Sequence, residues 1–263
     1  MLTADLSRDF SRGLSKDLSR DLAFGLDPAL VAHEMGLDPD PWQEKFLRSP
    51  APRTLLNCSR QSGKSTVTAL LAAHTALYDP GALVLLLSPT QRQSHELFRK
   101  ALDAYRAIPT AIPIVQESAL RLELSNGSRI VSLPGKEETV RGFSGVRLLA
   151  VDEAARVPDA LYFAVRPMLA VSGGRLVALS TPFGTRGWWY DTWRSDEAWE
   201  RYQVPAADCP RISPEFLEEE RRAMGEWWFA QEYGCEFLDA ETQPFAREDV
   251  DRAFEEEVEP WEF

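Results

Sequence analysis

Two groups of residues in this chain have the types and spacing to do chemistry. The first is Cys58-Ser59-Arg60-Gln61-Ser62-Gly63-Lys64-Ser65. It follows the phosphate-loop pattern G-x-x-x-x-G-K-[ST], with Cys58 in place of the first glycine. Such a loop works through inward-turned backbone N–H groups at the positive end of a helix. Gly63 permits close approach of the backbone. Lys64 supplies the phosphate-binding cation, and the Ser65 hydroxyl is a ligand for Mg²⁺. The second group is Asp152-Glu153, which ends the apolar run LLAVDEA. Asp152 is placed to hold Mg²⁺, and Glu153 to orient and deprotonate a water. Two adjacent carboxylates at the tip of an apolar strand are costly without a cation nearby. Together the two groups predict a site for Mg²⁺ and ATP, with Ser59, Arg60, Gln61, Ser62, Gly63, Lys64, Ser65 and Thr66 around the phosphates.

These residues need a scaffold, and the flanking text supplies one. RTLLNC reads as a buried strand running into the loop, and TVTALLAAHTALY as the helix that leaves it. ALVLLLSPT, VRLLAVDEA and RLVALSTP are further runs apolar on both faces, as parallel strands are. Helical text covers Gln91 to Ala107 and Asp159 to Ala170, and Asn126-Gly127 marks a hairpin. Strands alternating with helices specify a parallel, doubly wound α/β sheet. After Pro210, Ser213-Pro214 opens a helical stretch to about Tyr233, broken at Gly225, and GCEFL suits a closing strand. The tryptophan pairs Trp188–Trp189 and Trp227–Trp228 are expected to pack core against lid. The organisation predicted is an N-terminal arm over 1–37, a core over 38–210, a helical lid over 211–238 and an acidic tail over 239–263. The arm repeats a tetrad, with Leu6, Phe10, Leu14, Leu18, Leu22 and Leu26 at every fourth position. That spacing overshoots the helical 3.6, so the apolar stripe drifts.

Composition excludes several alternatives. With 263 residues and a formal charge of −12, the chain cannot grip nucleic acid by its whole surface. No run of 18 apolar residues exists, so no membrane helix is expected, and the leading residues lack a signal-peptide core. The chain reads as cytosolic. Cys58, Cys209 and Cys235 have no CxxC spacing and are expected to be buried reduced thiols.

The motifs SRQSGKS, VDEA and STPFGTRGWWYD, with WQEKFL upstream and WFAQEYGCEF downstream, resemble the terminase large subunits of tailed bacteriophages and prophages. The likeness spans roughly Pro41 to Leu238. It implies a P-loop NTPase fold of the ASCE, RecA-like type, and an ATPase that drives double-stranded DNA into a procapsid. It further implies that Gln43 reads the adenine ring and that Arg60 is the arginine of the phosphate loop. Ser180, Thr181 and Pro182 correspond to the coupling motif, and Arg141 is the candidate arginine finger entering a neighbouring subunit. Arg99, Lys100, Arg121 and Arg129 are candidate nonspecific DNA contacts. The implied partners are the portal protein, the small terminase subunit and further copies in a ring, in the bacterial cytoplasm and transiently on the portal. Family members usually carry a nuclease domain beyond the point where this chain stops, so no nuclease activity is expected. Two other readings suit the same core: a helicase-like remodeler, and a nucleotide-binding scaffold that does not hydrolyse.

Overall fold

The structure is a computed structural model that describes residues 18–135 and 142–239. Its elements follow the hydrophobic text. A helix over residues 18–26, α1, is followed by α2 (Pro28–Glu34) and α3 (Pro41–Arg48). Then come β1 (Arg53–Cys58), α4 (Lys64–Tyr78), β2 (Leu83–Ser88) and α5 (Gln91–Ala107). The strands β3 (Ile114–Ser118), β4 (Arg121–Leu124), β5 (Arg129–Pro134) and β6 (Val146–Asp152) lead to α6 (Asp159–Val165). The chain continues through β7 (Arg175–Ser180), α7 (Gly187–Arg194), β8 (Glu200–Val204), α8 (Pro214–Met224) and α9 (Glu226–Glu232).

All eight strands form one sheet in the order β3-β4-β5-β2-β6-β7-β1-β8. From β5 to β8 every neighbouring pair is parallel, and β4 alone runs against its neighbours. The central strands are buried on both faces because helices cover both. Leu56, Val84 and Leu86 face the cluster built with α4 and α5, and Leu55, Leu85 and Leu87 face the one built with α6 and α7. The order places β7 between β1 and β6. That inserted strand is the ASCE arrangement.

Four expectations are corrected. GCEFL is not a strand; β8 closes the sheet against β1. Cys235 has φ 60°, and its carbonyl accepts from Asn57 Nδ2 (3.0 Å), so this backbone is committed to side-chain contacts. The Asp159–Ala170 helix changes to a 3₁₀ turn at Arg166–Leu169, where Pro167 lacks the N–H an α-helix needs. Trp188 and Trp189 are buried in the cluster shared with α6 and the central strands, while Trp228 is 47% exposed. Finally, the described residues of the predicted arm pack against the core. Phe24, Val31 and Ala32 belong to the same core as β1 and α4, and His74 Nε2 lies 2.8 Å from the Phe24 carbonyl. Leu18, Leu22 and Leu26, the repeat positions, face solvent instead. Leu6, Phe10 and Leu14 lie outside the described residues.

Candidate nucleotide site

The turn between β1 and α4 is held from both ends. The Ser59 amide donates to the Val204 carbonyl (3.0 Å) and the Arg60 amide to that of Glu232 (3.2 Å). Ser62 Oγ closes the loop on the Ser59 carbonyl (2.9 Å). Gln61 (φ 61°) and Gly63 (φ 85°) take left-handed conformations. At Gly63 a side chain is also sterically forbidden, since a Cβ would sit 2.6 Å from Gln43 Nε2. Lys64 is buried, and its Nζ donates to the carbonyls of Cys58 (3.4 Å) and Ser59 (3.2 Å). The loop therefore wraps its own lysine, while the first N–H groups of α4 have no partner within the helix. This is an anion cradle with its cation in place.

The acidic pair reaches the same point from β6. Ser65 Oγ donates to Asp152 Oδ1 at 3.4 Å, across 87 residues of sequence. Burial, and then the charge of Glu153, push the Asp152 carboxyl up to about 6; Lys64 and Lys100 pull it back. A buried carboxylate in that state beside the Ser65 hydroxyl suits a divalent cation, so the residues fit Mg²⁺. Glu153 turns the chain off the strand with φ 48°. Its Oε2 lies 4.0 Å from Arg156 Nε.

Ser180 ends β7 level with Asn57 of β1, one residue beyond the partner of Asp152. Its Oγ accepts from the Ala155 amide (3.2 Å), just beyond Glu153. Thr181 and Pro182 are buried behind it. Arg156 lies over the Phe183 ring at 4.1 Å, and the Gly184 amide donates to Gln231 Oε1 of α9 (3.4 Å). The Ser180–Gly184 segment therefore touches the acidic turn on one side and α9 on the other.

Gln43 is buried, and two backbone groups fix its amide. Oε1 accepts from the Asp40 N–H (2.9 Å), and Nε2 donates to the Ser62 carbonyl (3.1 Å). A donor on one side and an acceptor on the other allow only this orientation. One lone pair and one N–H remain, the pattern that pairs with adenine N6 and N7. Arg60, in the same loop, reaches α9: Nε donates to Glu232 Oε2 at 2.6 Å. That hydrogen bond raises its already high pKa.

Several participants escaped the sequence. Glu232 and Gln231 sit in ordinary helical text, and nothing in sequence ties them to residues 172 and 47 positions away. Arg211 gave no signal either. Asp40 did, since Asp40-x-x-Gln43 is a capping box. The four candidate DNA cations do not form one patch. Leu122, Leu124 and Ile130 share the cluster of α5, so Arg121 and Arg129 lie on the other face of the sheet from Arg99 and Lys100. Arg99 and Arg121 are also paired, with Glu96 and Glu123. Arg141 lies outside the described residues. Cys58, Cys209 and Cys235 are free and buried, and burial raises all three thiols. Among the described residues no group of His, Cys, Asp or Glu forms a separate metal site, and no helix is long and apolar enough to cross a membrane.

Comparison with known proteins agrees with this geometry. Residues 55–252 match the family model described as terminase large subunit, T4likevirus-type, N-terminal. The chain belongs to the terminase large-subunit family. The large subunit of Thermus phage G20c is 26% identical over 253 residues, covering 82% of this chain and 52% of that protein. The terminase chain thus spans about half the length of the curated relatives it matches. Among solved structures, the large terminase ATPase domain of Thermus phage P74-26 has TM-score 0.70 at 24% identity, over 79% of this chain and 97% of that one. The large terminase of bacteriophage HK97 has TM-score 0.64 at 15% identity, over 76% and 51%. A large terminase from a thermophilic bacteriophage, solved with ADP, has TM-score 0.61 at 12% identity, over 76% and 54%. The solved structures agree with the P-loop, RecA-like fold.

Proposed function

We propose that this terminase chain binds and hydrolyses Mg-ATP, and that hydrolysis drives double-stranded DNA into a procapsid. The observation that carries the reading is the Ser65–Asp152 contact, which joins the phosphate turn to the acidic strand across the inserted β7. Magnesium, when bound, neutralises charge on the phosphates. Ser65 and Asp152 are the residues that would hold it. The loop amides and Lys64 bind the β- and γ-phosphates. Glu153 orients a water for in-line attack on the γ-phosphorus and takes its proton, while the bond to ADP breaks and ADP leaves with the electron pair. Gln43 reads the adenine edge.

Ser180, Thr181 and Pro182 are the route from hydrolysis to movement, because the segment they open bridges the acidic turn and the lid. Arg60 contributes through the lid: its grip on Glu232 holds that element against the loop. Arg141 completes the site of an adjacent copy in a ring on the portal, with the small subunit as a further partner, in the host cytoplasm. Nonspecific DNA contact falls to Arg99 and Lys100 on one face, or Arg121 and Arg129 on the other.

The test is phosphate release by Lys64→Ala and Glu153→Ala. Both are expected to lose hydrolysis, by at least about 100-fold. Glu153→Ala should still bind Mg-ATP. Near-normal turnover in either variant refutes the assignment.

A further inference from the structure

Beside the phosphate turn lies a cavity of about 680 Å³, lined by Gln43, Gly63 and Thr66 on the loop side, by Asp38 and Asp40, and by Arg211. Its position next to Gly63 makes it the place where the base of a bound nucleotide lies. Among the described residues lining it none is aromatic, so none of them offers a base a stacking ring. Its floor is made largely by small or aliphatic side chains, such as Ala32, Leu47 and Leu70.

Arg211 is the planar group available. Its Nη1 and Nη2 fork onto Asp40 Oδ1 and Oδ2 at 2.7 Å each, and Nη2 also reaches the Ser62 carbonyl at 3.2 Å. These bonds lie near the guanidinium plane, so they fix the plane without using its faces. Asp40 is 6% exposed, which keeps the fork from swinging into solvent. Gln43 Nε2 meets the same Ser62 carbonyl, at 3.1 Å. The plane and the edge-reading amide are therefore anchored on a single acceptor, which fixes one relative to the other.

We infer that Arg211 is the stacking platform for the nucleotide base, and so a specificity-determining residue contributed by the lid segment. The inference rests on the Mg-ATP reading above. It also supplies a reason for the lid to respond to nucleotide: the base closes against an arginine that follows β8 and precedes α8. A guanidinium face on a heteroaromatic ring is attractive through both dispersion and charge.

The experiment measures equilibrium binding of Mg-ATP and of magnesium tripolyphosphate, which has the phosphates but no base. It uses the full chain, Arg211→Lys, and Arg211→Ala combined with Asp40→Asn. Lysine keeps the charge beside Asp40 and removes the plane. The double variant removes the plane without stranding a buried carboxylate, and asparagine still suits the helix cap. Both variants are expected to bind Mg-ATP about tenfold more weakly, which is about 1.4 kcal/mol. Both should bind tripolyphosphate within twofold of the unmodified chain. Arg211→Lys binding Mg-ATP normally overturns the inference, because charge alone then suffices. Equal weakening for the two ligands also overturns it, because Arg211 then merely braces Ser62. An unmodified chain that binds neither ligand overturns the Mg-ATP reading and this inference with it.

Discussion

Asp152→Asn should inactivate this terminase and stabilise it in the same step. Asp152 is almost wholly buried, and its carboxyl moves from the usual 3.8 to about 6, chiefly by burial and then by the Glu153 charge. A folded-state value above the unfolded one means that the folded chain holds the proton more tightly. In the metal-free protein, stability is then lost as pH rises through the window from about 4 to about 6. Above that window the penalty is complete. A displacement from 3.8 to about 6 corresponds to about 3 kcal/mol. Asparagine has the same shape and no charge, so it escapes the penalty. For a domain of this size about 1 kcal/mol moves the melting temperature by about 2–4 °C. Thermal melts in EDTA at pH 7.5 should therefore place Asp152→Asn about 6–12 °C above the unmodified chain, and the gap should close by about pH 4. Phosphate release with Mg-ATP should meanwhile fall to background. A variant no more stable than the original at pH 7.5, or equally advantaged at pH 4, refutes the claim that the site is poised for a cation.

Other outcomes follow from the same geometry. If Arg141 acts on a neighbour's nucleotide, turnover per subunit should climb with protein concentration, and this climb should vanish in Arg141→Ala; a flat profile in both removes it from the mechanism. Gly174 packs on the start of β6, where an added Cβ would lie 2.0 Å from the Val146 carbonyl. Because the obstacle is backbone on both sides, Gly174→Ala should lose about 3 kcal/mol or more in urea unfolding. A loss under about 1 kcal/mol would show that this strand entry relaxes freely. Since Gly174 precedes β7, at the end away from Ser180, its folded fraction should still bind Mg-ATP.

The four central strands, helix α5 and the break at Gly225 were legible because each is a local pattern. Continuous apolar runs mark strands buried on both faces, and 3.6-residue periodicity marks a helix lying on them. The phosphate turn and the acidic pair were legible for a related reason: each is a short contiguous segment whose chemistry depends on its own backbone. GCEFL failed because an apolar run does not say whether its carbonyls will accept from a strand or, as at Cys235, from the side chains of Asn57 and Gln203. The tetrad repeat did not reveal which residues of this segment dock: Leu18, Leu22 and Leu26 are exposed, whereas Phe24, off the repeat, is buried.

What the sequence by itself determined was the machinery inherent in local chain chemistry: a phosphate-binding turn, a pair of acids at a strand tip, and a parallel sheet to hold them. What only the tertiary structure decided was their company. Arg60 turned to Glu232, Gln43 and Arg211 converged on Ser62, and the candidate DNA cations were divided between two faces. Such pairings join residues far apart in sequence. They depend on the order in which strands lie side by side, and long-range packing sets that order, while local propensity is silent about it.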